Sequence, residues 1–246
     1  MKKNFLILVM TLAALLTAST PAHAYDCEVD GIYYTRISTT EVEVTNKVFS
    51  DQNRAAYSGA VTIPATVTYN GKTFNVVSIG EYAFRGCLSM TSITIPSSIT
   101  SIKSFAFYNC SALAAVTIPA SVRSIGAGAF EGCTALTQMV LPEGIQAIED
   151  ETFHGCTGLK GIVIPASVSA VGEEAFSRCT SLISIYCFAK TPPTCEMSAF
   201  TKVDRTWCTL YVPRDGKYKE SDAWKEFFIE EYDGRPNDIN FSNITK

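Results

Sequence analysis

Leu113-Ala-Ala-Val116-Thr-Ile118-Pro119-Ala-Ser121-Val122-Arg-Ser-Ile125-Gly126-Ala-Gly-Ala129-Phe130-Glu-Gly132-Cys133 is one turn of a pattern that repeats with a period of 23 residues. Phenylalanine returns at 84, 107, 130, 153 and 176, and cysteine follows in step at 87, 110, 133, 156 and 179. A period of this length brings the same residue to the same height in the core once per turn, which makes the chain a solenoid. Within the turn, Val116 and Ile118 alternate with Thr117 as in a short strand, and Ile93/Ile95, Met139/Leu141 and Ile162/Ile164 repeat this. Stacked turns then form a parallel sheet. Pro96, Pro119, Pro142 and Pro165 lack an N–H and should end each strand, with a second short extended piece such as 121–125 after it.

The stretch from Ile125 to Cys133 has Gly126 and Gly132 near its ends and room for one or two helical turns. It is expected to be a short helix or 3-10 turn that carries Phe130 into the core. The fold class read from these features is an α/β solenoid, a right-handed superhelix of 23-residue turns combining short parallel strands with short helical turns. Solenoid ends expose strand edges and apolar faces, so both ends need covering. Asp30-Gly31 and Asn70-Gly71 signal hairpins in an N-terminal β-rich cap over residues 25–75, which includes a degenerate first turn at Val61-Thr62-Ile63-Pro64. The solenoid proper covers residues 76–190. A C-terminal cap and tail fill 191–246, with Leu210-Tyr211-Val212-Pro213 as a last strand and a short amphipathic helix over 221–230 carrying Trp224, Phe227 and Phe228.

Residues 1–24 read as a secretory signal: Lys2 and Lys3, an apolar stretch from Phe5 to Leu16, and Ala22-His23-Ala24 before the cleavage point. Tyr25 and Asp26 before Cys27 do not suit a lipid anchor, and the apolar stretch is too short for a transmembrane segment. The chain is thus expected outside the cytoplasm, at the cell surface, in the medium or in the periplasm. Removing Lys2 and Lys3 takes the formal charge from −4 to −6, and no run of Lys or Arg offers a basic face, so nucleic acid is excluded as a partner.

Nine cysteines in an exported chain suggest disulfides, but the five periodic ones read as buried thiols, and Cys187 occupies a core strand position as well. Stacked side chains pointing the same way do not readily meet the dihedral a disulfide needs. Cys195 and Cys208 form the candidate bridge, which leaves Cys27 unpaired.

The motif Leu113-x-x-Val116-x-Ile118-Pro119, Ser121-Val122-x-x-Ile125-Gly126, Ala129-Phe130-x-Gly132-Cys133 resembles the BspA-like leucine-rich repeats of bacterial surface and secreted proteins, over about residues 61–213. The resemblance implies a curved leucine-rich repeat solenoid and, from particular members, adhesion to host matrix proteins or to other cells. It supplies no ligand-binding motif to carry over. Asn109, in place of the glycine before the cysteine, and Met90, in place of leucine, depart from the pattern.

No catalytic constellation is legible, so the chain is not expected to be an enzyme and no cofactor is called. His154 is the one histidine after residue 24, at a variable position of the turn, and one histidine beside repeat-locked thiols supplies neither a triad nor a zinc set. Glu149-Asp150-Glu151 should stack over Glu173-Glu174 as a solvated acidic face, with a calcium site or acid/base pair as the sharper alternative. The aromatic residues Tyr33, Tyr34, Tyr57 and Tyr69 are either strand filling or a sugar platform. The outward positions of the parallel sheet are the candidate ligand-binding face: Thr94, Thr117, Gln138, Val140, Lys160, Val163, Ile183 and Tyr186, the last three being open to cover by the C-terminal cap. The functional expectation is a non-catalytic binding module for a host or envelope protein or a glycan, with a periplasmic or envelope scaffold as the alternative.

Overall fold

The computed structural model describes residues 25–47, 57–234 and 239; the expected signal sequence lies outside them. The chain winds as a β-solenoid whose front strands are Gly59–Thr62, Met90–Thr94, Ala115–Val116, Gln138–Val140, Gly161–Ile164, Ser184–Cys187 and Thr209–Val212. Each of those from Met90 to Ile164 stops before the proline that follows it, whose carbonyl accepts the N–H three residues on, as in Val122 N to Pro119 O at 3.0 Å. A second wall stacks Lys72–Ile79, Ser101–Ile102 and Ser124–Ile125, and then Ala147–Ile148, Ala170–Val171 and Thr194–Cys195. Registers across the regular turns are 23 residues on both walls, as in Ile162 beside Ile185 and Ile102 beside Ile125, and lengthen to 24 at Ala170 beside Thr194 and 25 at Ser184 beside Thr209.

The third side is not helical. Between Gly80 and Cys87, and at the same place in later turns, N–H groups alternate between two targets. Ala83, Arg85 and Cys87 bond three residues back, to Gly80, Tyr82 and Phe84, while Tyr82, Phe84 and Gly86 reach the next turn at Ser104, Ala106 and Tyr108. A helix would keep all of these bonds to itself; here half of them are spent on joining turns. The alternation needs a left-handed residue on either side of the phenylalanine. Tyr82, Phe105, Gly128, Glu151 and Glu174 fill the first such position, and Gly86, Asn109, Gly132, Gly155 and Arg178 the second, all with φ between 50° and 71°. Asn109 is thus a residue that tolerates the conformation its glycine counterparts adopt.

Six phenylalanines, the five periodic ones and Phe200, stack with centroids 5.0–5.6 Å apart and planes within 10°. All are essentially buried. The stack ends against Tyr57 on one side and against Trp224 and Phe227 on the other. Beside it, the thiols of Cys110, Cys133, Cys156 and Cys179 donate to the carbonyls of Phe84, Phe107, Phe130 and Phe153, at 3.0–3.2 Å.

Before the first full turn, Cys27–Val29, Ile32–Arg36 and Glu41–Thr45 form an antiparallel meander that joins Lys72–Ile79 in parallel. The hairpin of Thr66–Tyr69 with Lys72–Ile79 turns at Asn70-Gly71, and both Asp30-Gly31 and Asn70-Gly71 have two positive φ values, as a type I′ turn requires. At the far end the helix expected over 221–230 is absent. A 3-10 turn covers Lys217–Glu220 instead, and Phe228–Glu231 is a strand paired in parallel with Thr209–Val212. Extending the front sheet meets the backbone hydrogen bonds of that last strand, which a helix would leave open.

Candidate functional site

The front wall presents the expected face, and the structure divides it. Thr94, Thr117, Gln138, Val140 and Lys160 are exposed, and Val140 keeps 44% of its surface. Val163 does not belong to a binding face: it is fully buried, between Val140 and Tyr186 in register. Ile183 and Tyr186 are half-buried. The Tyr186 ring stacks on Tyr211 at 4.4 Å and meets the edge of Tyr232 at 5.2 Å, so the C-terminal segment covers this part of the sheet. Burial and the neighbouring tyrosine push the Tyr186 hydroxyl up to about 12, so the ring is neutral under ordinary conditions.

What remains open is a groove of about 770 Å³ centred on two adjacent turns, lined by Ala115, Thr117, Gln138, Val140, Pro142 and Glu143 among others. Its floor is apolar, with Ile118, Met139 and Leu141 buried beneath it. Its rim supplies a hydroxyl, a carboxamide and a carboxylate. Three of the expected residues, Thr117, Gln138 and Val140, therefore meet in one depression, while Thr94 and Lys160 flank it.

A smaller depression, about 310 Å³, lies on the turn side between Tyr82, Arg85, Phe105 and Tyr108 and the carboxylates of Glu131 and Glu151. The Arg85 guanidinium sits 5.3 and 5.4 Å from the Tyr82 and Tyr108 rings. Desolvation, then the Glu151 charge, raises the Glu131 carboxyl above its usual value. His154 Nδ1 is 3.0 Å from Glu174 Oε2, out of line for a hydrogen bond. Arg85, Tyr108 and Glu131 share one position of the repeat with His154, and Tyr82, Phe105 and Glu151 share another, so the grouping emerges once the period is converted into stacked turns.

Cys156 is buried and turned to the core, away from His154. Asp150 is not a calcium ligand in waiting: its Oδ1 accepts the Glu173 N–H at 2.7 Å. Among the described residues no group of three or more His, Cys, Asp and Glu is placed to hold a metal ion. Tyr33, Tyr34 and Tyr57 are core, the Tyr57 hydroxyl donating to the Thr45 carbonyl at 2.8 Å, while Tyr69 is exposed. The expected bridge between Cys195 and Cys208 is not formed, since Cys195 keeps its thiol. The physical reason is topological: Cys195 lies on the second wall and Cys208 precedes a strand of the front wall. Among the described residues no helix is long and apolar enough to cross a membrane.

Residues 65–183 match the BspA type leucine rich repeat region in six copies. A leucine-rich repeat protein from Bacteroides ovatus is 29% identical, over 76% of this chain and 55% of that one, with a TM-score of 0.53. The T. pallidum leucine-rich repeat protein is 28% identical over 65% of this chain and 71% of that one, with a TM-score of 0.55. The chain thus spans only about half the length of the Bacteroides protein. No curated protein matches it.

Proposed function

The chain is a BspA-type leucine-rich repeat protein, and on that premise we propose that it is an exported, non-catalytic recognition module that binds a protein or a glycan through its front sheet. The observation that carries this reading is the groove at Thr117, Gln138 and Val140. It joins an apolar floor to a rim of hydrogen-bonding groups on a part of the front wall that the C-terminal segment leaves uncovered. Recognition sites commonly combine an apolar base with a few placed polar groups, and repeat proteins build them from one position in successive turns. Export is supported by Lys2, Lys3, the apolar stretch and Ala22-His23-Ala24. The meander at the start and the strand and 3-10 turn at the end act as caps that protect the open ends of the stack.

The test is binding of the chain from Tyr25 to Lys246 to immobilised matrix proteins, mucins and glycans, beside Thr117→Arg/Val140→Glu, which fills the groove without touching the core. Saturable binding that the variant loses while melting normally supports the reading. Failure to bind any of the panel removes adhesion and leaves an envelope scaffold.

A further inference from the structure

Both walls of the solenoid are interrupted at the same junction, between the turn carrying Phe130 and the turn carrying Phe153. On the front, Met90–Thr94 pairs with Ala115–Val116, and Gln138–Val140 pairs with Gly161–Ile164, but Ala115–Val116 and Gln138–Val140 belong to different sheets. On the second wall Ser124–Ile125 ends one sheet and Ala147–Ile148 begins the next.

The bonds that recur elsewhere stop here. Arg123 N reaches Thr100 O, Ser169 N reaches Gln146 O and Thr194 N reaches Ser169 O, each at 2.9 Å. Gly126 N reaches Ile102 O at 2.9 Å, and Gly172 N reaches Ile148 O at 2.8 Å. Among the described residues the equivalent bonds from Gln146 and Glu149 to the preceding turn are missing. Thr137 N to Ala114 O, at 3.4 Å, is longer than its counterparts from Lys160 and Ile183, at 2.9 and 3.0 Å. The Phe130–Phe153 spacing, 5.6 Å, is the widest of the ring stack.

The sequence contains the cause. Ser98, Ser121 and Ser167 each donate a hydroxyl to a carbonyl of the turn before, at 2.6–2.7 Å. One period after Ser121 stands Gly144, which has no hydroxyl, and the Arg123 side chain fills its place and bonds the Val122 and Ala120 carbonyls. Thr100, Ser169 and Thr194 make a second row of such staples. Arg123 and Gln146 interrupt it, Gln146 turning its amide to Gly144 O within its own turn. The junction before Arg123 still has the Ser121 staple and keeps the bond from Arg123 N to Thr100 O, whereas the junction before Gln146 lacks both staples, and both walls open there. The third side stays closed: Gly128, Phe130 and Gly132 donate to Asp150, Thr152 and His154 at 2.8–2.9 Å.

We infer that this junction is a hinge, with the turn-side ladder as its axis, about which the solenoid flexes as two blocks. The front groove of about 770 Å³, lined by both Ala115–Val116 and Gln138–Val140, is its mouth. Backbone N–H groups left out of a ladder are where local opening costs least. The inference stands apart from any ligand.

The experiment is hydrogen exchange on the chain from Tyr25 to Lys246, resolved to single amides by NMR. The amides of Gln146 and Glu149 should exchange about tenfold or more faster than Ser169 and Gly172, their equivalents one turn on, while Phe130 and Gly132 stay as slow as Phe107 and Phe153. Gln146→Ser restores one staple, at a position without the positive φ that would strain Gly144→Ser, and should slow the Gln146 and Glu149 amides. Equal protection on both sets of amides in the parent chain would overturn the hinge. So would equally fast exchange at Phe130, which would mean the turns separate without an axis. No change in Gln146→Ser would overturn the missing staple as its cause.

Discussion

The Cys133 thiol donates to the Phe107 carbonyl of the preceding turn at 3.2 Å, and that carbonyl also accepts the Cys110 N–H at 3.1 Å. The periodic cysteine, expected as a buried thiol, is thus also a cross-turn donor small enough for a close-packed core.

Cys133→Ala removes a thiol that is fully buried and leaves a small void beside the ring stack. The loss expected is about 1–3 kcal/mol, from the cavity and the weak donor together. Urea unfolding of the two chains measures it, and a change below about 0.5 kcal/mol would show that the bond is incidental.

Burial pushes the thiols of Cys87 and Cys133 up from about 9 to about 11 and about 12. Folded pKa values above the unfolded one mean that this contribution is complete below about pH 9 and is lost as pH rises through the folded values. Native protein should therefore leave its ladder thiols unlabelled by a maleimide near pH 8, while denatured protein labels all nine. The melting temperature should fall more steeply above pH 9 in the parent than in Cys133→Ala. Rapid native labelling of Cys133 would contradict the inward ladder.

Phe130→Ala removes one ring from the middle of the stack, where it has neighbours at 5.0 and 5.6 Å. A loss of about 3–5 kcal/mol is expected in calorimetry or denaturant unfolding. An unchanged melting curve is incompatible with the burial described.

Gly132 has φ of 71°, and a Cβ there would lie 2.1 Å from Asn109 Oδ1. Gly132→Ala should cost about 1–2 kcal/mol through strain and that clash. The converse substitution, Asn109→Gly, should be nearly neutral, because the φ of 56° is one that glycine accepts freely. A thermal shift assay on both separates them, and equal effects would sink the left-handed assignment.

The Glu131 carboxyl is raised by desolvation first and by the Glu151 charge second. A raised folded value favours the folded state below the ordinary carboxyl range and loses that advantage as pH climbs through the folded pKa. Glu131→Gln should then melt higher than the parent near pH 8 and converge with it near pH 4. A gap independent of pH would assign the effect to something other than this titration.

Much of the architecture was readable before any coordinates, because periodicity is a direct record of stacking. The phenylalanine row, the strand ending at each proline and both Asx-Gly hairpins stand where their spacing put them. The turn side was misread as helical because glycine and a short apolar run carry the same local signal for a helix end and for alternating β-turns; only the next turn's carbonyls distinguish them. Alternation says which way a side chain points but not what covers it, so Val163, Ile183 and Tyr186 stayed open to both a ligand and the C-terminal cap; Tyr211 and Tyr232 lie against Tyr186, and Val163 is buried between Val140 and Tyr186. The turn-side grouping of Glu131 with Glu151 and the seam at Gly144 and Gln146 needed the columns to be read across turns.

Up to Phe200, the chain departs from its period at one corner. The first turn carries nine residues beyond 23, since Pro64 precedes Pro96 by 32, and they form the hairpin at Asn70-Gly71 between a front strand and a second-wall strand. The single additional residue before Phe200 falls in the same interval, between Ser184–Cys187 and Thr194–Cys195, where Pro192-Pro193 sits. Up to Phe200 the donors and acceptors on the other two corners are matched turn to turn; beyond it the closing turns depart again, Thr209 lying 25 residues after its partner Ser184 and Phe228 only 19 after Thr209. Within the regular repeats, insertions and deletions in the gene therefore have two permitted forms, a whole 23-residue unit or a loop after the front strand, and relatives of this chain should differ in length there by those two routes.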